Sequence, residues 1–239
     1  MFDHFFDLDI PGEVISSLLC MLIIVILSIV IAIKAHFANP LKKPKGILLV
    51  AEIGVNYFDN FTKDLTGSAL PNFGGFIMGV AAYLFLAFIF GLTGLPSPIT
   101  YMAVPLSLGL STFMLIHATA IKYNKFRYFK RYIEPVPLFL PINLISMWAP
   151  LLSLTLRIFG NALSGFVIMS LVYAALKDLS AAIFSSLNIG VWNQAFIAPL
   201  LAWILHLYFD LWSGFIQTTV FLSLTTIYVG QEIPEDLTE

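Results

Sequence analysis

Charge is what this sequence has least of. Only 11% of its 239 residues are Asp, Glu, Lys or Arg, against about 25% in a typical soluble domain. With 59% of residues hydrophobic and a mean hydropathy of +0.91, lipid rather than water must solvate most of the surface. Cysteine is nearly absent too. The single Cys20 sits in an apolar run, which excludes an intrachain disulfide and reads as a small packed residue rather than a reactive thiol. The four histidines have no metal-ligand spacing, and no phosphate loop, nucleophile elbow or zinc motif occurs. These absences argue against a cofactor, a metal or hydrolytic chemistry in the chain itself. A net charge of -2 gives no basis for nucleic-acid binding.

What the chain does have is a series of apolar runs. Its opening, MFDHFFDLDIPGE, is acidic, whereas a signal peptide begins with a basic segment. The run over 14–34 can cross a bilayer, and Lys42, Lys43 and Lys45 follow its closing Lys34. Basic residues flanking a span stay in the cytoplasm, so the N-terminus is expected outside. Over 46–66, Glu52, Asn56, Asp59 and Lys63 share one helical face. That pattern fits an amphipathic helix in the cytoplasmic interface, or a soluble linker helix. Residues 73–95 and 101–121 read as two more spans joined by the uncharged PSPIT. Gly75 and Gly79 give the first of them a GxxxG packing signal. Of the 12 basic residues, ten fall within 34–63 and 122–131. Two spans separate those segments, so both can face the cytoplasm.

Two longer apolar regions follow, 136–176 and 195–229. A perpendicular helix needs only about 20 residues to cross the hydrocarbon. Each region is therefore steeply tilted, bent, or folded as a hairpin, with Pro137, Pro141, Pro150 and Pro199 as candidate bends. The connection over 177–194 is expected outside, and the C-terminal EIPEDLTE in the cytoplasm. The expected fold is all-α: one polytopic membrane domain of about five membrane-embedded helices plus one interfacial helix. No inverted repeat relates the two halves, unlike many secondary transporters.

The polar residues of the first long region are not scattered. Asn143, Ser146, Ser153, Arg157, Asn161 and Ser164 are separated by 3, 7, 4, 4 and 3 positions. On a helix they fall within an arc of about 80°. That face addresses another helix, a water-filled cavity or a partner protein. In the last region His206, Asp210, Ser213, Gln217 and Tyr228 share a face. Two adjacent tilted helices are expected to oppose these stripes and line a polar path through the membrane. Arg157 is the costly member, since an arginine at the centre of a span costs about 3 kcal/mol on insertion scales. Apolar-rich sequence on both sides makes snorkelling to the interface difficult.

The stretch SLTLRIFGNALSG, Ser153–Gly165, closely resembles the signature of subunit a of F-type ATP synthases. The final LWSGFIQTTVFLSLTTIYVG, the KPKG before residue 47 and the GLTGLPSP from residue 91 are also similar to that family in its bacterial form. The resemblance implies a multi-pass protein of the bacterial cell membrane, the non-catalytic stator half of a rotary motor. Its partners would be a ring of c subunits, the b subunits of a peripheral stalk, and lipid. Two offset half-channels would pass H+ or Na+ to and from a carboxylate on each c subunit. Arg157 matches the family's essential arginine, Asn161 its asparagine one turn on, and Gln217 the glutamine near the arginine. Asp210 stands where many bacterial members have histidine and mitochondrial ones a carboxylate, a place suited to relaying protons at the outer half-channel. Tyr228 also occupies an expected position, and Ser164 lies on the same stripe as the arginine.

Two departures stand out. Many bacterial members carry glutamate nine residues after the arginine, where this chain has Phe166. Many also carry carboxylates ten or eleven residues before it, at Ser146 and Met147 here. Water held by Asn143, Ser146 and Ser153 would then serve the cytoplasmic side, and Asp210 with His206 the outer side; His206 reads equally as a packed, neutral histidine. The competing reading is an autonomous channel or transporter in which Arg157 binds an anionic substrate. A membrane-embedded enzyme would need a nucleophile or metal cluster that the sequence lacks.

Overall fold

A computed structural model describes residues 11–39, 43–67, 69–133, 137–184 and 198–234. The expectations for the acidic residues 1–10, for the connection over 185–197 and for residues 235–239 lie outside these. Among the described residues the chain is all helical. Helix α1 (Gly12–His36) carries Glu13 in its first turn and Lys34 and His36 in its last, each sign placed where it complements the helix dipole. Helix α2 (Ile47–Thr66) starts and ends at glycines, Gly46 and Gly67, with φ of 62° and 63°, a backbone region open to glycine. Helix α3 (Phe73–Ile89) runs into a short 3-10 turn, Phe90–Thr93, and a second 3-10 turn, Pro98–Thr100, leads to α4. Helix α4 (Ala103–Ile133) is broken at Lys125, where φ is 47°.

Helix α5 (Leu140–Phe184) is one continuous element of 45 residues with Pro150 inside it. It therefore spans about 67 Å, more than twice the roughly 30 Å of hydrocarbon in a bilayer. A hairpin is excluded, and the helix must lie tilted or curved. Lys177 and Asp178, expected to begin the outer connection, lie within it. The last region runs as α6 (Ala198–His206), a π-helical turn (Leu207–Trp212) and α7 (Ser213–Gly230). By length and composition, Gly12–His36, Phe73–Thr93, Ala103–Lys125 and Leu140–Ile183 can each cross a membrane. The fold is thus that of an all-α, membrane-embedded protein.

The buried core lies where α3, α5 and α7 meet and includes Ile77, Leu84, Phe88, Ile158, Phe221 and Val229. Helix α1 joins it through Ser17 Oγ and Tyr83 Oη, 2.7 Å apart. Helix α2 packs along α3 and α7, leaving Glu52, Asn56 and Lys63 exposed and Asp59 half-buried. The GxxxG expectation is corrected here. A Cβ at Gly75 or Gly79 would meet nothing within 4 Å, so among the described residues neither glycine mediates a close helix contact. The close approaches occur elsewhere. A Cβ on Gly109 of α4 would lie 3.2 Å from Leu151 Cδ1 of α5, and one on Gly214 of α7 only 2.6 Å from Phe88 Cγ of α3.

Candidate functional site

The polar stripe of α5 divides by depth. Its central members Ser146, Arg157 and Ser164 are exposed, whereas Asn143, Ser153 and Asn161 at its edges are half-buried. Among the described residues, the stripe hydrogen-bonds to the last helix at Asn161. Asn161 Nδ2 donates to Ser213 Oγ at 2.8 Å, and Ser213 Oγ donates back to Asn161 Oδ1 at 3.0 Å. The expectation that the two stripes oppose each other is corrected accordingly: they touch along one edge, and the centre of the α5 stripe looks away from the bundle. The geometry follows from the arc itself, because Asn161 sits about 40° around the helix from Arg157.

Arg157 Nη2 donates to Ser153 Oγ at 3.2 Å, one turn back on the same helix. Among the described residues no carboxylate lies within ion-pair distance of its guanidinium. Ser146 Oγ donates to Ile142 O at 2.9 Å and Ser164 Oγ to Asn161 O at 3.0 Å. Such back-bonding to the helix's own carbonyls satisfies each hydroxyl locally. Their lone pairs remain available as acceptors for water.

A second polar group is built on the π turn. His206 closes α6 and Asp210 lies four residues on, inside the widened turn. Nδ1 of His206 and Oδ2 of Asp210 are 2.6 Å apart, with the two side chains 26% and 24% exposed. On the other side of the ring, His206 Nε2 lies 2.9 Å from the hydroxyl of Tyr173 on α5. With Asp210 ionised and the ring neutral, the carboxylate only accepts, so Nδ1 would carry the proton toward it and Nε2 would accept from the tyrosine O–H. The result is a directed chain from Tyr173 through His206 to Asp210. π turns of this kind often mark functional sites.

This chain borders a cavity of about 590 Å³ whose lining includes Asn161, Phe166, Tyr173, His206, Asp210 and Glu13. Gly91 forms the wall behind the carboxylate. A Cβ there would stand 3.3 Å from Asp210 Cγ, tighter than ordinary contact, so a larger residue would make the carboxyl group give way by a few tenths of an ångström. Gly165 plays a looser part, as its Cβ would meet the Phe209 ring at 3.8 Å.

Ser146, Ser153, Arg157 and Ser164 of α5 do not line that cavity, and neither do Gln217 and Tyr228 of the last helix. Gln217 is buried on α7, and among the described residues its Nε2 has no hydrogen-bond partner. Tyr228, half-buried against the core, lies 18 positions beyond Asp210, about 27 Å along the helix axis. Tyr173, Gly91 and Glu13 were not legible from sequence. Tyr173 is 16 positions beyond Arg157 and about 160° around the helix from it, on the face opposite the stripe.

Comparison with known proteins places this geometry in a family. The family described as ATP synthase A chain matches residues 14–230. The chain is similar to ATP synthase subunit a of Mycoplasmoides gallisepticum, with 29% identity over 232 residues, covering 93% of this chain and 78% of that protein. With ATP synthase subunit a of Mycoplasma genitalium it shares 30% identity over 209 residues, 82% of this chain and 70% of the relative. A protein of Propionigenium modestum named ATP synthase subunit a, sodium ion specific, is 36% identical over 124 residues, 52% of this chain and 36% of its own. An apolar helical chain matched from its first helix to its last by one family model belongs to that family: this is a member of the ATP synthase A chain family, subunit a of the membrane sector.

Proposed function

We propose that the chain is the stator side of the rotary membrane sector, forming two half-channels that carry protons to and from carboxylates on a ring of c subunits. One observation carries this reading. Arg157 is exposed on a helix long enough to cross the membrane, and a serine hydroxyl is its described partner. A permanent cation presented to an apolar surface needs an anion from outside the chain. A c-subunit carboxylate arriving in the plane of the membrane meets that need, and Arg157 would hold it deprotonated while separating the two half-channels. The chain itself catalyses no bond chemistry; the b subunits of a peripheral stalk would hold it still against the ring.

The cavity beside Asp210 would form the outer half-channel, with the N-terminus outside and the C-terminus cytoplasmic in a bacterial cell membrane. The cytoplasmic half-channel would run along Asn143, Ser146 and Ser153. The Tyr173–His206–Asp210 chain supports the proton over sodium, because a ring nitrogen suits a hard cation poorly while each of its members can hand on a proton. When Asp210 is ionised, one proton entering at the tyrosine oxygen displaces the O–H proton to Nε2. The Nδ1 proton then passes to Oδ2, leaving Tyr173 and His206 neutral. The sodium-specific relative makes the opposite outcome testable.

Reconstitution tests the assignment. Purified alone in liposomes, the chain should be inert to an imposed ion gradient, and with c ring and stalk present it should conduct. Conduction by the isolated chain would favour an autonomous channel. Within the complex, Tyr173→Phe removes one neutral hydrogen bond of about 1 kcal/mol. It should therefore slow ATP-driven proton pumping about fivefold, read by quenching of a pH-sensitive dye.

A further inference from the structure

The cavity that borders Asp210 is short of acid on its α5 wall, where Phe166 is 63% exposed. Its opposite side is different. Glu13, in the first turn of α1, lines the same cavity, 153 positions away in sequence. The start of α1 is held there by close packing: a Cβ on Gly12 would stand 3.3 Å from Pro96 Cγ, in the link before the second 3-10 turn. Glu13 itself is half-buried. The titratable side chains on the cavity wall are Glu13 from α1, Tyr173 from α5, and His206 and Asp210 from the last region. Among the described residues, no lysine or arginine borders it.

We infer that Glu13 is the acidic access residue of this cavity, doing from the first helix what a carboxylate at position 166 would do from α5. The inference rests on the proposed function, in which the cavity is the outer half-channel. A cavity lined by charge of one sign raises the local concentration of the opposite ion. With Asp210 at the inner wall and Glu13 from α1, an incoming cation meets negative charge before the hydrogen-bonded chain. Glu13 makes no contact with the reacting c-subunit carboxylate; it acts on how readily protons reach Asp210. Its effect is therefore on apparent affinity and not on the saturated rate.

The test uses the whole complex in liposomes, with ATP synthesis driven by a fixed membrane potential while the pH on the outer face is varied. Glu13→Gln should raise the proton concentration giving half-maximal synthesis about tenfold, with the saturated rate nearly unchanged. Glu13→Asp should stay close to wild type. Adding Phe166→Glu to Glu13→Gln should restore most of the lost affinity, which repair of a purely structural defect would not do. A wild-type profile for Glu13→Gln overturns the inference, as does a shift that Phe166→Glu leaves in place. Failure of Glu13→Gln to co-purify with the c ring would mark the residue as structural and overturn it as well. Asp210→Asn in the same assay separates the two claims. If it lowers the saturated rate while Glu13→Gln does nothing, the half-channel stands and the access role falls; if neither changes anything, both fall.

Discussion

Membranes carrying the whole complex with Arg157→Ala should show no ATP-driven proton pumping above background. The reason lies in the stripe on α5, where the guanidinium is exposed and hydrogen-bonded to Ser153. In the complex the arriving c-subunit carboxylate would be its counter-charge, held away from bulk water. Breaking such a pair by removing one member typically costs about 3–5 kcal/mol. At about 1.4 kcal/mol per decade, coupled turnover should fall by about two to three and a half orders of magnitude. A second readout follows from the separating role. With no cation between the half-channels, protons should leak passively through the complex when ATP is absent. Arg157→Lys should recover part of the coupling, since it keeps a charge but loses the planar fork. Retained pumping in the alanine variant would sink the assignment.

Asp210→Asn should leave assembly intact yet slow transport about a hundredfold, the usual scale for losing a positioned proton-transfer group. Asparagine is nearly isosteric, so it can still rest against Gly91 and bond the ring of His206 through its amide oxygen. What it cannot do is take up and release a proton. The defect should therefore persist at every outer pH, in contrast to a defect in access, which a higher proton concentration overcomes. Asp210→His offers a useful counterpart, because histidine stands at this place in many bacterial relatives by resemblance. It should restore a measurable share of the rate. Dye-quench pumping and ATP synthesis, each normalised to the amount of c ring co-purified, check both expectations. Normal rates for Asp210→Asn would remove the residue from the path.

Some of this molecule could be read along the chain, and the division is physical. Helices declare themselves through local pattern, so the apolar runs, the amphipathic α2 and the arc holding Arg157 were all visible at spacings of three and four residues. The bare arginine was conspicuous because its insertion is unfavourable, whatever surrounds it. The length of the last two regions demanded tilt or curvature, yet that α5 runs on unbroken along α4 is encoded in no local pattern. Tyr173 carries no local signal either, since it bonds His206 from another helix. Glu13 and Gly91 reach the cavity from segments far from Arg157 in the chain. The way the two stripes meet is hidden for a related reason. A helical projection fixes angles about one axis and says nothing of how two axes cross. The GxxxG at Gly75 failed because small residues permit close approach without requiring it.

The π turn over Leu207–Trp212 sets the phase of the whole C-terminal segment. A turn of this type amounts to one residue more than an α-helix would use, and one residue is worth about 100° of rotation. His206 on the near side is committed to Tyr173, and Ser213 on the far side to Asn161. Deleting a single residue within the turn would let it relax to an ordinary α-helix with both anchors kept, whereas rewinding the same residues as α-helix would swing one of the two anchors off α5. Along this stretch the backbone hydrogen-bond pattern therefore decides which side chains reach α5, and a projection at a constant ~100° per residue misplaces everything beyond Trp212 relative to His206.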